Sequence, residues 1–88
     1  MSNLSLENLE DSVLYDLFYE AGSILGGSLL AKEREARQEG DLEQYRKFHD
    51  ERMAMRRERM SVKSNDRALQ IECKRKWDAR VKELRESR

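Results

Sequence analysis

The fold is decided by Leu6–Ala31, LENLEDSVLYDLFYEAGSILGGSLLA, a stretch with five acidic residues and no Lys or Arg. Its apolar side chains recur at the three- and four-residue spacing of one helix face, and a second set widens that face on one side. The stretch therefore predicts an amphipathic helix with a broad buried face. The first set is Leu6, Leu9, Val13, Leu17, Ile24 and Ala31, and the widening set is Leu14, Phe18, Ala21 and Leu25.

Three glycines in this stretch leave the continuity of the helix open. An interior glycine costs a helix about 1 kcal/mol relative to alanine. Gly22, Gly26 and Gly27 therefore either break or kink the helix, act as a hinge, or let another helix approach closely. Positions 22 and 26, and again 23 and 27, place small residues on shared helical faces, a spacing that permits tight helix contact. Residues 1–39 are accordingly predicted to form one helix or a helix pair.

Gly40 and Asp41 mark the clearest boundary in the chain. Gly40 suits the left-handed position after a helix, and Asp41 suits the N-cap of the next helix, with Gln44 completing a capping box. A second helix is predicted over 41–60 and a third over 65–86, with a loop between them. Strands are not predicted, because no run of residues alternates with a period of two.

These elements predict an all-α fold in a single domain, 1–88, with three helices, or four if the first region divides. The second and third helices match in length, so we expect a C-terminal helical hairpin with the N-terminal helix packed across it. With 41% charged and 7% aromatic residues the chain has little material for a core, so we also expect a homodimer. The candidates for packing, within the chain or across the dimer, are Leu14, Leu17, Ala21, Gly22, Ile24, Leu25 and Gly26.

Charge is divided along the chain although the total is zero. Met1–Ala31 carries a net charge of −5, whereas Glu51–Arg88, with thirteen basic and seven acidic residues, carries +6. Such a division can be neutralised within the fold, between subunits, or by an outside partner such as nucleic acid. We expect pairing within the fold or dimer, joining Asp16 and Glu20 of the first helix to Arg52, Arg56 and Arg59 of the second.

Aromatic and basic residues share one arc of the second helix, which makes this arc the predicted partner-binding surface. On the third helix a narrow apolar stripe contains Cys73 and Trp77. Trp77 is predicted as a core anchor, with an exposed contact for a partner as the alternative. Ile71 falls off the stripe and is predicted to be exposed. The partner-binding candidates are Tyr45, Phe48, Arg52, Arg56, Arg59 and Trp77.

No constellation of catalytic or metal-binding residues is present in the sequence. There is one histidine, His49, one cysteine, Cys73, no glycine-rich phosphate loop and no metal-ligand spacing. We therefore expect no enzyme activity, no metal and no cofactor. The longest uncharged run, Ala21–Ala31, is too short for a membrane span. A single cysteine and an acidic N-terminus predict a cytoplasmic protein.

The sequence thus predicts a non-enzymatic module for protein–protein interaction, of the kind that serves as a small regulator, inhibitor or antitoxin. The alternative is a nucleic-acid-binding regulator that uses the basic face of the second and third helices, including Arg52, Arg56, Arg59 and Lys74–Lys76. Against this alternative stand the seven acids of the same segment and a pI near 6.6.

Overall fold

The computed structural model describes residues 5–87 and contains three α-helices within that range. They are α1, Asp11–Gln38; α2, Leu42–Ser61; and α3, Arg67–Glu86. A single 3-10 turn, Leu6–Asn8, precedes them, and these residues include no strand. The predicted all-α fold is confirmed. Because α1 is continuous over 28 residues, the alternative with four α-helices is wrong.

The N-terminal segment enters α1 later than the apolar spacing predicts. Ser5 accepts a hydrogen bond from the Glu7 backbone at 3.3 Å and caps the 3-10 turn rather than an α-helix. Leu9 follows in an extended conformation, so the spacing of Leu6 and Leu9 with the later apolar residues is not continued by one helix. Arg67 donates to the Glu7 carbonyl at 3.2 Å, which ties the turn to the start of α3.

The junction between α1 and α2 has the left-handed glycine and the Asp41 N-cap that the sequence predicts, but not the reciprocal Gln44 side-chain bond of a capping box. Gly40 adopts a left-handed φ of 74°. Its N–H donates to the Arg37 carbonyl at 3.1 Å, and the Asp41 N–H donates to the Ala36 carbonyl at 2.8 Å. The Asp41 carboxylate then accepts from the Gln44 N–H at 3.1 Å and caps α2. The last carbonyls of α1 and the first N–H groups of α2 are thereby satisfied within a few residues.

The loop between α2 and α3 is held by a cap and by a buried amide. Asp66 accepts from the Leu69 N–H at 3.2 Å and caps α3. Gln70 is fully buried, and its Nε2 donates to the carbonyls of Lys63 and Ser64 at 2.9 and 3.0 Å. Because a buried amide needs partners, these two bonds fix the path of the loop.

α1 is the packing partner of both other helices. The contacts of Gly22 with Arg59 and of Gly26 with Met55 show that α2 runs antiparallel to α1. α3 runs in the direction of α1, since the start of each helix lies close to the start of the other. α2 and α3, the two helices of the predicted hairpin, thus each lie along α1.

α2 and α3 meet one another through ion pairs. Lys76 lies 2.7 Å from Glu58, and the Arg80 guanidinium donates to both carboxylate oxygens of Glu51 at 2.6 and 2.9 Å. The order of these pairs is antiparallel. Since the side chains are a third to a half exposed, each pair contributes little to stability.

The core lies where the three helices converge. Phe18 of α1 stacks on Trp77 of α3, with ring centroids 5.4 Å apart. Cys73 is fully buried, as predicted for a small apolar residue, and burial raises the pKa of its thiol to about 11. Ile71, predicted to be exposed, is only 8% exposed. The remaining core residues are Ala21, Leu25, Leu29, Met55, Val62, Val81 and Leu84.

The molecule is thin for its length. Its extents are 45 × 32 × 14 Å and its radius of gyration is 14.6 Å, whereas a compact domain of this length has about 12 Å. α2 and α3 cover one side of α1. The opposite side of α1 therefore forms part of the molecular surface.

We predict that Gly40→Val lowers the free energy of unfolding by about 1 to 2 kcal/mol, because a left-handed conformation is strained for a residue with a Cβ. Urea denaturation followed by circular dichroism measures the change. Gly40→Asn is the control, since asparagine tolerates this conformation and the loss should be smaller. Identical midpoints for wild type and Gly40→Val would contradict the left-handed junction.

Candidate protein-binding surface

α1 buries the side that carries the widening set of apolar residues, rather than the side of the first set. Leu14, Phe18 and Leu25 are buried, whereas Val13 and Ile24 of the first apolar set are 43% and 45% exposed. The wide face predicted to be buried is therefore two adjacent faces, of which the chain covers only one. Of the packing candidates, Leu14, Ala21, Gly22 and Leu25 are buried, Leu17 and Gly26 are half-buried, and Ile24 is exposed.

We call the uncovered side of α1 the outer face. The eleven residues Ala21–Ala31 include no charged side chain, although 41% of the whole chain is charged. The exposed positions within this run are Ser23, Ile24, Gly27 and Ala31, so the middle of the outer face is uncharged and its charged side chains lie on either side of that run. The outer face comprises Val13, Asp16, Leu17, Glu20, Ser23, Ile24, Gly27, Ala31 and Arg34, of which Leu17 is half-buried and the others are exposed.

The glycines divide between the buried side and the outer face. A Cβ at Gly22 would lie 2.9 Å from Cδ of Arg59, and one at Gly26 would lie 3.3 Å from Cε of Met55. These two glycines let α2 approach α1, which confirms close packing in a continuous helix and rules out a break. A Cβ at Gly27 would meet nothing within 4 Å. The fold itself therefore gives no packing reason for Gly27.

Arg59 lies across α1, where its hydrogen-bond partners are neutral groups. Its Nη1 donates to the Tyr19 carbonyl and to the Ser23 hydroxyl, both at 3.1 Å, and its guanidinium lies 3.9 Å from the centre of the Tyr19 ring. Its Nε is buried and has no hydrogen-bond partner within residues 5–87. Since the partners are neutral, the positive charge of Arg59 is not balanced by a carboxylate.

Arg56 lies one turn from Arg59 on α2. Both arginines line a groove between α1 and α2, together with Gly26, Gly27 and Leu30. The Arg56 side chain is exposed. In the described part of the chain it forms no ion pair. The edge of the outer face next to α2 is therefore electropositive.

Arg52 has an acidic partner that the sequence analysis did not identify. Glu33 is 3% exposed, and both of its carboxylate oxygens accept from the Arg52 guanidinium, the Nη2–Oε1 distance being 3.1 Å. Nδ1 of His49 lies 3.4 Å from Oε1. The hydrogen bonds from Arg52 lower the pKa of Glu33 and raise that of Arg52 itself. Glu33 follows Leu25 and Leu29 at four-residue spacing, a signal that could have placed it on the buried side.

The predicted pairing of Asp16 and Glu20 with the α2 arginines does not occur within one chain. Both carboxylates are exposed, and neither forms an ion pair among residues 5–87. The spacing along α1 explains this, because Asp16 and Glu20 point to the outer face, away from α2. Arg34 is exposed on the same face and likewise has no ion pair in that range.

The other partner-binding candidates lie inside the fold or at its edge. Tyr45 is half-buried and stacks on His49, with ring centroids 6.0 Å apart. Phe48 packs against the core. Trp77 is 2% exposed and occupies the core, in its predicted role as an anchor. These three aromatic residues do not form one open surface with Arg56.

The basic residues that the nucleic-acid alternative assigns to α3 have carboxylate partners within the chain. A phosphate group would have to compete with these carboxylates. The pairs are Lys74–Asp78, Arg75–Glu7 and Lys76–Glu58, at 2.6, 3.0 and 2.7 Å.

No family model, curated protein or solved structure shows significant similarity to this chain. Within the described range, no three His, Cys, Asp or Glu side chains are grouped so that they could hold a metal ion. No helix among residues 5–87 combines the length and the apolarity that crossing a bilayer requires.

We predict opposite effects for two identical substitutions on α1. Gly27→Ala should stabilise the protein by up to about 1 kcal/mol, because alanine favours the helix and its Cβ meets open space. Gly22→Ala should destabilise it, because Arg59 and the Trp77 ring, 2.9 and 3.2 Å from the added Cβ, must move. Urea denaturation compares the two variants, and an equal gain from both would contradict the close approach at Gly22.

We predict that Glu33→Gln lowers the free energy of unfolding at pH 7 by about 1.5 to 3 kcal/mol, the range for hydrogen bonds to charged groups. The pKa of Glu33 is lowered in the folded state, so the stabilisation is complete above the ordinary glutamate pKa of about 4.3. It is lost as the pH falls through the lowered value. Urea denaturation at pH 7, 4 and 3 should show wild type and variant converging.

Glu72→Gln is the control for this substitution. It also removes one carboxylate, but at an exposed position on α3, and should change the stability by less than about 0.5 kcal/mol. Equal losses from the two substitutions, or a difference that does not depend on pH, would contradict the buried pair.

Proposed function

We propose that this chain is a non-enzymatic protein-binding module and that its binding surface is the outer face of α1. One observation carries the proposal: the four exposed positions of the uncharged run Ala21–Ala31, which are Ser23, Ile24, Gly27 and Ala31, form a charge-free surface on a folded chain that is 41% charged. Ile24 and Val13 are nearly half exposed there. Covering such side chains with a partner removes apolar surface from water.

The outer face is suited to a helix or a shallow groove of a partner. Ile24 and Val13 supply apolar contacts, while Ser23 and Gly27 allow the partner's backbone to come close. Asp16 and Arg34, near the two ends of the face, can fix the orientation of a partner through charge. Because α1 is already held by α2 and α3, little conformational entropy is lost when it binds.

A module of this kind acts as a regulator, inhibitor or antitoxin by covering a functional surface of its partner. We propose the cytoplasm as its site of action, because a single cysteine allows no internal disulfide. The nucleic-acid alternative is supported by exposed basic residues on α2, among them Arg56 and Arg57. It is weakened by the exposed acids Glu43 and Asp50 on the same helix and by the paired basic residues of α3.

The proposal is tested by capture from a lysate of the source cells on immobilised protein, with Ile24→Asp as the variant. We expect wild type to retain a protein at physiological salt after nuclease treatment, and Ile24→Asp to lose it. Met60→Asp is the matched control, because Met60 is 83% exposed on α2 and should bind as wild type does. Circular dichroism confirms that each variant is folded.

The opposite result would favour nucleic acid. A ligand that is removed by nuclease, weakens steeply with salt and is lost in Arg56→Glu but retained by Ile24→Asp would overturn the protein-binding proposal.

A further inference from the structure

The partner that the outer face fits best is a second copy of this chain. We propose that two copies pack α1 against α1, antiparallel, about a two-fold axis that passes midway between Ser23 and Gly27. In this arrangement Asp16 of each copy faces Arg34 of the other. The inference rests on the proposed function, since it names the occupant of the same surface.

The crossing point follows from the small residues of α1. Gly22 and Gly26 serve helix packing within one chain, because Arg59 and Met55 occupy the space beside them. Ser23 and Gly27, the second pair at the same spacing, are exposed, and a Cβ at Gly27 would meet nothing within 4 Å. An interior glycine that costs about 1 kcal/mol gains a packing reason when a second helix crosses at that point.

The register follows from charge. Asp16 lies seven residues before Ser23, and Arg34 lies seven residues after Gly27. Seven residues are close to two helical turns, so all four side chains share one face. An antiparallel two-fold arrangement that pairs Ser23 with Gly27 brings Asp16 level with Arg34 of the second copy, twice per dimer. A parallel arrangement would instead place Asp16 against Asp16 and Arg34 against Arg34.

The same register also brings Glu20 of one copy near Arg56 of the other. Glu20 comes level with Leu30 of the second copy, and Arg56 lies exposed in the groove lined by Gly27 and Leu30. Neither Glu20 nor Arg56 forms an ion pair within the described residues of one chain. The division of charge that is only partly neutralised inside the chain is thus neutralised between copies.

The shape of the molecule gives the reason for self-association. A chain only 14 Å thick leaves α1 covered on one side, and a chain of 88 residues buries a smaller share of its surface on folding than a larger domain does. Packing α1 on α1 covers the same surface on both copies, which is the property of a closed two-fold interface.

Light scattering and sedimentation from about 1 to 100 μM test the proposal. We expect wild type to have twice the mass of the 10.5 kDa chain. Asp16→Lys alone and Arg34→Asp alone should each weaken the dimer at least tenfold, because each places like charges opposite one another. An equimolar mixture of the two variants should recover the dimer, because opposite charges then meet at both contacts.

Two further variants separate the interface from the fold. Gly27→Leu should stay folded, since its side chain enters open space within the chain, and should be monomeric, since it blocks the crossing. Asp50→Lys combined with Arg57→Asp is the control, because both residues are exposed on α2, and it should remain a dimer.

A wild-type mass of one chain across this range would overturn the self-pairing and would leave the capture experiment with Ile24→Asp unaffected. A dimer that tolerates Gly27→Leu, or a mixture of the charge variants that stays monomeric, would also overturn the proposed interface.

Discussion

The contact on which the rest of this structure depends is the close approach at Gly22 of α1. A Cβ at this position would lie 2.9 Å from Cδ of Arg59 on α2 and 3.2 Å from the Trp77 ring on α3, so a side chain here would force both to shift. The three helices meet at this point, and Phe18 stacks on Trp77 beside it. Because the three helices converge only here, the core is narrow and the molecule is thin.

The same packing decides which hydrogen-bond partners the arginines of α2 reach. Arg52 reaches Glu33, which lies on the buried side of α1 and is 3% exposed. Arg59 instead finds the Tyr19 carbonyl, the Ser23 hydroxyl and an aromatic ring. Removing one partner of a buried ion pair strongly destabilises a folded protein. Glu33 therefore fixes the far end of the α1 and α2 packing, while Arg59 fixes the end near Gly22.

The outer face is the consequence of this arrangement. α2 and α3 both pack on one side of α1, and no further helix among residues 5–87 covers Val13, Ile24 and Gly27. Asp16 and Arg34 flank the proposed crossing point at equal distances along the chain, which makes this face complementary to itself in the proposed antiparallel dimer. In that dimer a second copy of the chain occupies the surface to which the protein-binding function is assigned.

The sequence by itself determined the junction between α1 and α2 and the extents of α2 and α3 to within two residues, but not the start of α1 at Asp11 or its continuity through the glycines. Gly40 and Asp41 act through local hydrogen bonds, so their roles can be predicted without knowledge of the tertiary structure. Trp77 could be assigned to the core from its apolar neighbours on α3. The sequence did not determine which side of α1 faces inward, because two adjacent faces are similarly apolar. Only the tertiary structure decided that, through the steric fit of Arg59 and Met55 at Gly22 and Gly26. That choice buried Glu33 and left Asp16, Glu20 and Gly27 outside, because the side of a helix that a partner covers depends on long-range packing rather than on local spacing.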